Sequence, residues 1–296
     1  MLGLKKGTVR LCPHDVAWER AAARSIAQLS EILGDAALAI EHVGSTSIPT
    51  IEAKPILDIA VAVERLSDLL PFVDAMRAVG YHLRAREERQ LLFAAGPYYE
   101  GSGEEQTHFI HVVPAGSREW TDYLNFRNYL RSHPDAARSY ERVKRSLAKT
   151  CVGEGARERY TSGKAECIAF LLRKALVDSY LGVSVTVGID RPIGYVHKKK
   201  DRVLVYPINY GYIPGVLGGD GEELDVYLLG VDTPVTEYTA RVIAVVHREN
   251  DVEDKLVAAP EGKTYTAAEI ADAIRFQEKY YRTHVETLDG GVAWIE

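Results

Sequence analysis

Two groups of residues in this 296-residue chain could carry chemistry. The denser is Gly219-Asp220-Gly221-Glu222-Glu223-Leu224-Asp225, four carboxylates in a glycine-containing stretch ahead of an apolar run. Carboxylates so close repel one another unless cations sit between them, and Gly221 lets the chain curve round an ion. A second acidic stretch, Glu249, Asp251, Glu253 and Asp254 followed by Lys255, comes directly after the β-like run RVIAVVH. Either stretch alone would read as a solvated surface. Two acid-bearing loops at strand ends, however, can converge on one site, which suits two-metal hydrolysis of a phosphoanhydride. Ahead of them, Tyr206-Pro207-Ile208-Asn209-Tyr210-Gly211-Tyr212-Ile213-Pro214 reads as a strand and turn with tyrosines at a core edge.

The N-terminal group is sparser. In His42-Val43-Gly44-Ser45-Thr46-Ser47, a glycine after a strand lets the backbone approach a phosphate, and the hydroxyls add donors. Lys54 is placed to neutralise that phosphate, and Asp58 on the following strand could hold a Mg²⁺ bridging it. On spacing alone a Gly-Ser turn beside a strand-edge aspartate explains the pattern as well. His108 and His111 stand at i and i+3 of a strand and so point to opposite faces. His111 fits a hydrogen-bonded strand histidine as readily as a ligand. Arg127 and Arg131 share a helix face that reads as solvated, with anion binding the alternative. Tyr160 and Lys164 read as core and surface respectively, and Cys167 as packing.

The elements that must position these residues follow from periodicity. Trp18, Ala22, Ile26, Leu29 and Leu33 predict a helix over 15–33, with Gly34 stopping it. AALAIEHV and KPILDIAVAVE predict strands, as do 90–95 and 107–114, and 67–79 reads as a helix. Residues 120–176 are helical in character, with breaks at His133-Pro134 and Val152-Gly153. Beyond a boundary near 180 come short β segments, VSVTVGI, RVLVYPI, GYIPGVL, LDVYLLGV and RVIAVVH, separated by Gly/Pro/Asp clusters that suggest a small barrel or sandwich. A helix over 267–281 is expected to close the chain. The class is therefore α+β in two domains, 1–180 and 181–296. Charge divides with them: residues 181–296 hold 12 Lys+Arg against 19 Asp+Glu, whereas 1–180 hold 24 against 23.

Composition, 46% hydrophobic and 26% charged, describes a globular chain with no apolar run long enough to span a bilayer and no signal-peptide core. Cys12, Cys151 and Cys167 lack metal-ligand spacing and are odd in number, against a disulfide framework. Net charge −6 argues against bulk nucleic-acid binding. The expectation is a cytoplasmic protein with a small-molecule partner and no membrane; a homo-oligomer is left open.

Over residues 8–176, HVGSTSIP, AKPILDI, THFIHVVP, FRNYLRSHP and YTSGKAECI together resemble the GrpB family of the nucleotidyltransferase-fold superfamily. The resemblance implies a nucleotidyltransferase-like mixed α/β domain in which Gly44 and Ser45 contact nucleotide phosphates and Asp58 holds metal. The second acid of the superfamily's pair falls on Ala60, so a lone carboxylate stands where two would grip Mg²⁺. Over 183–285, YPINYGYIPG, DGEELDVYLLG, EDKLVAAP and RFQEKYY resemble the soluble inorganic pyrophosphatases. That resemblance implies a small OB-like β-barrel with a flanking helix. It also implies Asp220 and Asp225 as metal ligands, Glu222 as the acid that activates water, and Lys255 and Tyr210 as phosphate contacts. A further metal acid falls on Glu253, with Asp254, Asp251 or Glu249 as neighbours able to serve, and the helix tyrosine falls on Tyr280. The family's early lysine and glutamate lack counterparts around Asp190-Arg191, with His197 or Lys198 to Lys200 as substitutes. Its arginine ahead of the YP pair is represented only by the nearby Arg202, and Tyr281 stands where it carries lysine. The phosphate-clamping half of the site thus reads as eroded. The implied function is Mg²⁺-dependent hydrolysis of pyrophosphate or a related phosphoanhydride. The alternatives are nucleotidyl transfer to a small molecule or RNA end, and non-catalytic nucleotide or phosphate binding.

Overall fold

The computed structural model describes residues 2–199 and 202–295. It divides into two compact units, Met1–Leu172 and Arg173–Glu296.

In the first unit, Asp15 caps the helix Val16–Leu33 by accepting from the Ala17 N–H at 2.9 Å. Trp18, Ala22, Ser25, Leu29 and Leu33 form its buried stripe, and Gly34, at φ 51°, ends it. The helix packs on a five-stranded sheet ordered Ala39–Val43, Leu57–Val63, His108–Pro114, Leu91–Ala95, His82–Arg86. Leu57–Val63 and His108–Pro114 pair in parallel, and the outer pairings are antiparallel. Ile59, Val61, Val63, Phe93, Ile110 and Val112 fill the core with Leu29 and Leu33. Each such side chain contributes about 1.5–3 kcal/mol on burial. The strand His82–Arg86 was not expected from the sequence, because HLRAR carries little apolar signal for an edge strand. Residues 67–79 are less regular than a single helix: a 3₁₀ segment, Leu66–Phe72, bears Pro71 and gives way to α-helix only at Val73–Ala78. Helices Arg118–Ser132, Pro134–Thr150, Ala156–Gly163 and Ala165–Asp178 follow.

The second unit is built on a β-barrel. Strands Lys255–Ala259, Glu223–Leu228, Asn209–Leu217, Ser184–Arg191 and Glu237–Arg248 pair in that order, and Glu237–Arg248 pairs back with Lys255–Ala259 to close the ring. Closure is possible because Glu237–Arg248 is long enough to serve both neighbours, Glu237 to Arg241 against one and Arg241 to Val246 against the other. A register shift between Val242 and Ala244 bends it there. The helix Ala267–Glu278 starts at a Thr266/Glu269 capping box and buries Ile270, Ala271 and Ile274. It does not close the chain: strands Thr283–Thr287 and Val292–Ile295 follow and extend the sheet beside Glu237–Arg248. Among the described residues no helix is long and apolar enough to cross a membrane. All three cysteines are free.

Candidate functional site

At one side of the barrel lies a pocket of about 420 Å³. Its wall carries six carboxylates, Asp190, Asp220, Glu222, Glu223, Asp225 and Glu253, against three cations, Arg191, Arg248 and Lys255. The floor is built by strand geometry. Tyr212 and Asp225 are cross-strand partners, while Tyr210, two residues back on the same face, turns its hydroxyl to Asp225. Lys255, at the start of its own strand and 1% exposed, gives its ammonium to Tyr210 Oη at 2.7 Å and to the carboxylates of Asp225 and Glu253. Burial pushes the Glu253 carboxyl up, and the hydrogen bond to neighbouring Asp225 pushes it further. Burial also works against ionised Asp225, but the bond from Glu253 and the Lys255 charge outweigh it and hold Asp225 low. Two carboxylates contending for one proton are a place for a second cation.

The loop 219–222 forms the exposed rim. Gly221 takes φ 89°, and Asp220 Oδ1 accepts from the Glu222 N–H at 3.0 Å, which fixes the turn and leaves the Glu222 carboxylate at the pocket. Asp220, Asp225 and Glu253 therefore meet around one space. A set of carboxylate oxygens with few nitrogens and no sulfur fits a hard divalent cation such as Mg²⁺.

Not every candidate acid joins them. Asp254 faces away from the pocket: Oδ1 accepts from Lys174 Nζ and from the Arg248 N–H, both at 3.1 Å, and Oδ2 lies 3.4 Å from His247. Glu253 and Asp254 lie just ahead of the strand Lys255–Ala259, where Glu253 turns to Lys255 in the pocket and Asp254 turns to Lys174 and the Arg248 N–H. Asp251 pairs with Arg248 at 3.2 Å behind the wall, and Glu249 with His284 at 3.4 Å. Tyr280 is 46% exposed and absent from the lining; Tyr281 lines the pocket instead, its ring 3.7 Å from the Arg248 guanidinium. His197 and Lys198 do not line it either, and Lys200 lies outside the described residues.

Arg191 and Arg248 are the lining cations that the sequence reading missed. Arg191 lies over the rings of Tyr206 and Tyr210 and donates to Tyr206 Oη at 2.8 Å. Arg248, 1% exposed, is held by Glu278 at 2.7 Å and 2.8 Å and by Glu253 at 2.8 Å. The available signal was Arg248, directly after the apolar run RVIAVVH and directly before a run of acids.

The first unit holds a pocket of opposite character. Gly44, at φ 67° and ψ −172°, turns the chain so that Asp58 lies against it; a Cβ there would stand 2.5 Å from Asp58 Oδ2. The turn is held from outside. Arg131 donates twice to Ser47 O at 2.9 Å and 2.7 Å, and Arg127 bonds Glu41 at 2.7 Å and His42 O at 3.0 Å. The two arginines are thus neither a solvated face nor an anion site but props for the Gly-Ser turn.

Ala60 is the register partner of His111, and its small side chain leaves room for that imidazole to reach Asp58 Oδ1 at 3.3 Å. A histidine therefore occupies the room beside Asp58. His108, on the other face, turns to Ser25 at 3.1 Å. Around Asp58 and Ser45 lies a space of about 200 Å³ lined by Lys54, Lys144, Arg157 and Lys164, with Asp58 its lone carboxylate among the described residues. Lys164 hence lines this space and does not stand free on the surface, set with Lys54 on the Tyr160 ring at 4.8 Å and 5.1 Å. Burial and the nearby Arg157 and Lys164 charges bring Lys54 down to about 8; burial and Lys164 bring Lys144 to about 7. Burial weakens ionised Asp58, yet the His111 hydrogen bond and the charges around it keep its pKa low. Ala137, Tyr140 and Lys144 stand on one buried helix stripe, so a lysine in an apolar position was the missed signal.

Comparison with known proteins places each half. The GrpB protein family model matches residues 8–174, and the inorganic pyrophosphatase family model matches 192–286. Glutamate-rich protein GrpB of Alkalihalophilus pseudofirmus is 31% identical over 175 residues, covering 59% of this chain and 99% of that protein. The inorganic pyrophosphatase of Saccharolobus solfataricus is 37% identical over 113 residues, covering 33% of this chain and 65% of that protein. The crystal structure of conserved protein GrpB from Enterococcus faecalis superposes with TM-score 0.53 at 27% identity, over 58% of this chain and 99% of that one. The chain belongs to the GrpB family through residues 8–174 and carries an inorganic pyrophosphatase domain over residues 192–286.

Proposed function

We propose that the second unit hydrolyses pyrophosphate or a related phosphoanhydride with Mg²⁺. The observation carrying this reading is the convergence of Asp220, Asp225 and Glu253 on Lys255 and Tyr210 in one pocket, within a pyrophosphatase domain. Six carboxylates against three cations leave an excess of negative charge even with one proton shared between Asp225 and Glu253. Such a pocket repels a polyphosphate until divalent ions neutralise it. Asp220, Asp225 and Glu253 would hold the metal, which when bound lowers the pKa of water and offsets charge on phosphate oxygens.

The chain's own groups do the rest. Glu222, on the rim and in the lining, is placed to accept the proton of the attacking water. Lys255 now directs its ammonium hydrogens to Tyr210, Asp225 and Glu253. With Asp225 and Glu253 engaged by a metal, that ammonium would be available to a phosphate oxygen. Arg191 supplies a planar donor set suited to phosphate contact, while Arg248, held by Glu278 and Glu253, braces the wall behind it. Tyr210, held by Lys255 and Asp225, orients that ammonium.

The test is phosphate release from pyrophosphate by the full chain with Mg²⁺, compared with Asp225→Asn and Glu222→Gln. Release by the parent that both variants lower at least about 100-fold is expected. No release by the parent, or release untouched by either variant, would reject the reading.

A further inference from the structure

Outside the acidic pocket, the second unit gathers His247, His284 and Glu286 on one face of its sheet. His247 and His284 are cross-strand partners with ring centroids 5.0 Å apart, and Glu286, two residues on from His284, shares its face. One donor atom from each of the three lies within 4.8 Å of the other two. His247 Nε2 stands 3.8 Å from Glu286 Oε2. The histidine side chains are 10% and 17% exposed and that of Glu286 35%, so an ion can enter past the glutamate.

The surroundings of the two rings favour metal ligation. Nδ1 of His247 lies 3.4 Å from Asp254 Oδ2, and Nδ1 of His284 lies 3.4 Å from Glu249 Oε1. A carboxylate behind Nδ1 holds the proton there and leaves Nε2 as the lone pair, the arrangement that orients metal-bound histidine. Lys174 also reaches His247 Nδ1, at 3.1 Å, and donates to Asp254 Oδ1 at 3.1 Å. In the Nδ1–H tautomer Lys174 turns wholly to Asp254, and it stands on the far side of the ring from Nε2. His284 Nδ1 is buried yet makes no hydrogen bond. A cation on Nε2 would make that N–H more acidic and draw Glu249 onto it. Burial, with the His247 and Lys174 charges, lowers the His284 pKa against Glu249 and Glu286, which keeps the ring neutral and able to ligate at neutral pH. Two imidazoles and one carboxylate are a donor set for Zn²⁺ and not for Mg²⁺. Tetrahedral ligand atoms on Zn²⁺ stand roughly 3.4 Å apart, a spacing that the flexible Glu286 can close to.

We propose that His247, His284 and Glu286 form a Zn²⁺ site, with water as the remaining ligand, that ties the strand Thr283–Thr287 to the barrel strand Glu237–Arg248. Thr283–Thr287 and Val292–Ile295 lie outside the closed ring, and an ion between His247 and His284 adds a cross-link to their pairing. None of the three residues lines the acidic pocket, so the site stands or falls apart from the hydrolytic reading.

Dialysis of the full chain against Zn²⁺ in large excess of Mg²⁺ tests this, with bound zinc read by atomic absorption and Co²⁺ as a spectroscopic probe. Mg²⁺ occupies the acidic pocket and competes poorly for imidazole nitrogen. The parent is expected to retain one Zn²⁺ per chain and to give the strong visible absorption of tetrahedral Co²⁺. His284→Gln and Glu286→Gln should each weaken Zn²⁺ about tenfold or more, whereas Asp225→Asn should leave it unchanged. Zn²⁺ should also raise the urea midpoint of the parent and leave that of His284→Gln where it was. Glu286 is the most exposed of the three and its glutamine keeps the side-chain shape, so that variant decides the matter even if the histidine variant fails to fold. No Zn²⁺ retained by the parent would overturn the proposal. So would Zn²⁺ held equally well by Glu286→Gln, or lost in Asp225→Asn, which would put the ion in the acidic pocket.

Discussion

The two pockets solve the same electrostatic problem from opposite sides. In the barrel unit three cations stand among six carboxylates; in the GrpB unit four cations stand round one. The first needs added positive charge before it can hold a phosphate, and the second needs added negative charge to relieve its own cations. Both place a lysine against a tyrosine ring, Lys255 on Tyr210 and Lys164 on Tyr160, so the ammonium–aromatic pairing alone does not distinguish them. What separates them is the number of carboxylates within reach of the ammonium. Lys255 is neutralised by Asp225 and Glu253, whereas Lys164 meets no carboxylate within 4 Å among the described residues.

The most direct attempt to break this contrast is removal of divalent ions. Chelation should abolish phosphate release from pyrophosphate, a loss of more than about 100-fold, while the urea midpoint of the first unit is unchanged. Full phosphate release in excess EDTA would mean that the acidic pocket works without added positive charge. Next in size is Arg248→Met. Glu278 is fully buried and relies on Arg248 for its charge, with Tyr227 and Thr283 as further donors. Leaving that carboxylate uncompensated costs about 3–5 kcal/mol. Urea unfolding should show the loss, and Glu278→Leu placed on top of Arg248→Met should recover most of it. No recovery would mean that Arg248 stabilises through its stacking on Tyr281 and not through the buried charge.

How far these sites were legible depended on where the information lay. The acidic loop 219–225 and Lys255 could be read because local density and a recognisable motif coincide. Glu253 and Asp254 could not be separated because both lie just ahead of Lys255–Ala259, where only the fold decides which carboxylate meets Lys255 and which meets Lys174. Arg191 and Arg248 sit at the ends of strands whose pairing is long-range, so nothing adjacent in sequence reveals that both reach one pocket. In the first unit Gly44, Ser45, Lys54 and Asp58 follow one another closely along the chain and were found. Lys144, Arg157 and Lys164 come from later helices and were not. The strands after residue 282 were missed because THVET alternates weakly and takes its stability from pairing with Glu237–Arg248.

Gly44→Ala sharpens the contrast at the turn itself. The ψ of −172° with φ 67° is a region that glycine alone enters freely, and the added Cβ would meet Asp58 Oδ2 at 2.5 Å. A loss of about 2–3 kcal/mol is expected. Gly34→Ala supplies the control, since Gly34 also has positive φ but open space where a Cβ would stand, with nothing within 4 Å, and should cost about 1 kcal/mol. Equal losses at the two glycines would show that backbone strain, not the close approach of Asp58, makes Gly44 necessary.

The smallest expected effect is the one that bears most closely on why the cations are there. Burial, with Arg157 and Lys164 nearby and Asp58 opposing them, holds the free protein's Lys54 near 8, below the ordinary lysine value. The depressed group is a base, so its protonated form is the disfavoured one. Between about pH 8 and the ordinary value of 10.5 the unfolded chain binds more protons than the folded one, and stability rises with pH across that window. Below pH 8 the penalty is present in full. Lys54→Met removes it, so the variant should be more stable than the parent by about 1–2 kcal/mol at pH 7, after discounting for residual solvent contact. The advantage should fade as pH climbs toward 10. Urea midpoints at pH 7 and pH 9.5 measure it, and an equal gain at both would mean that Met packs better for reasons unrelated to charge.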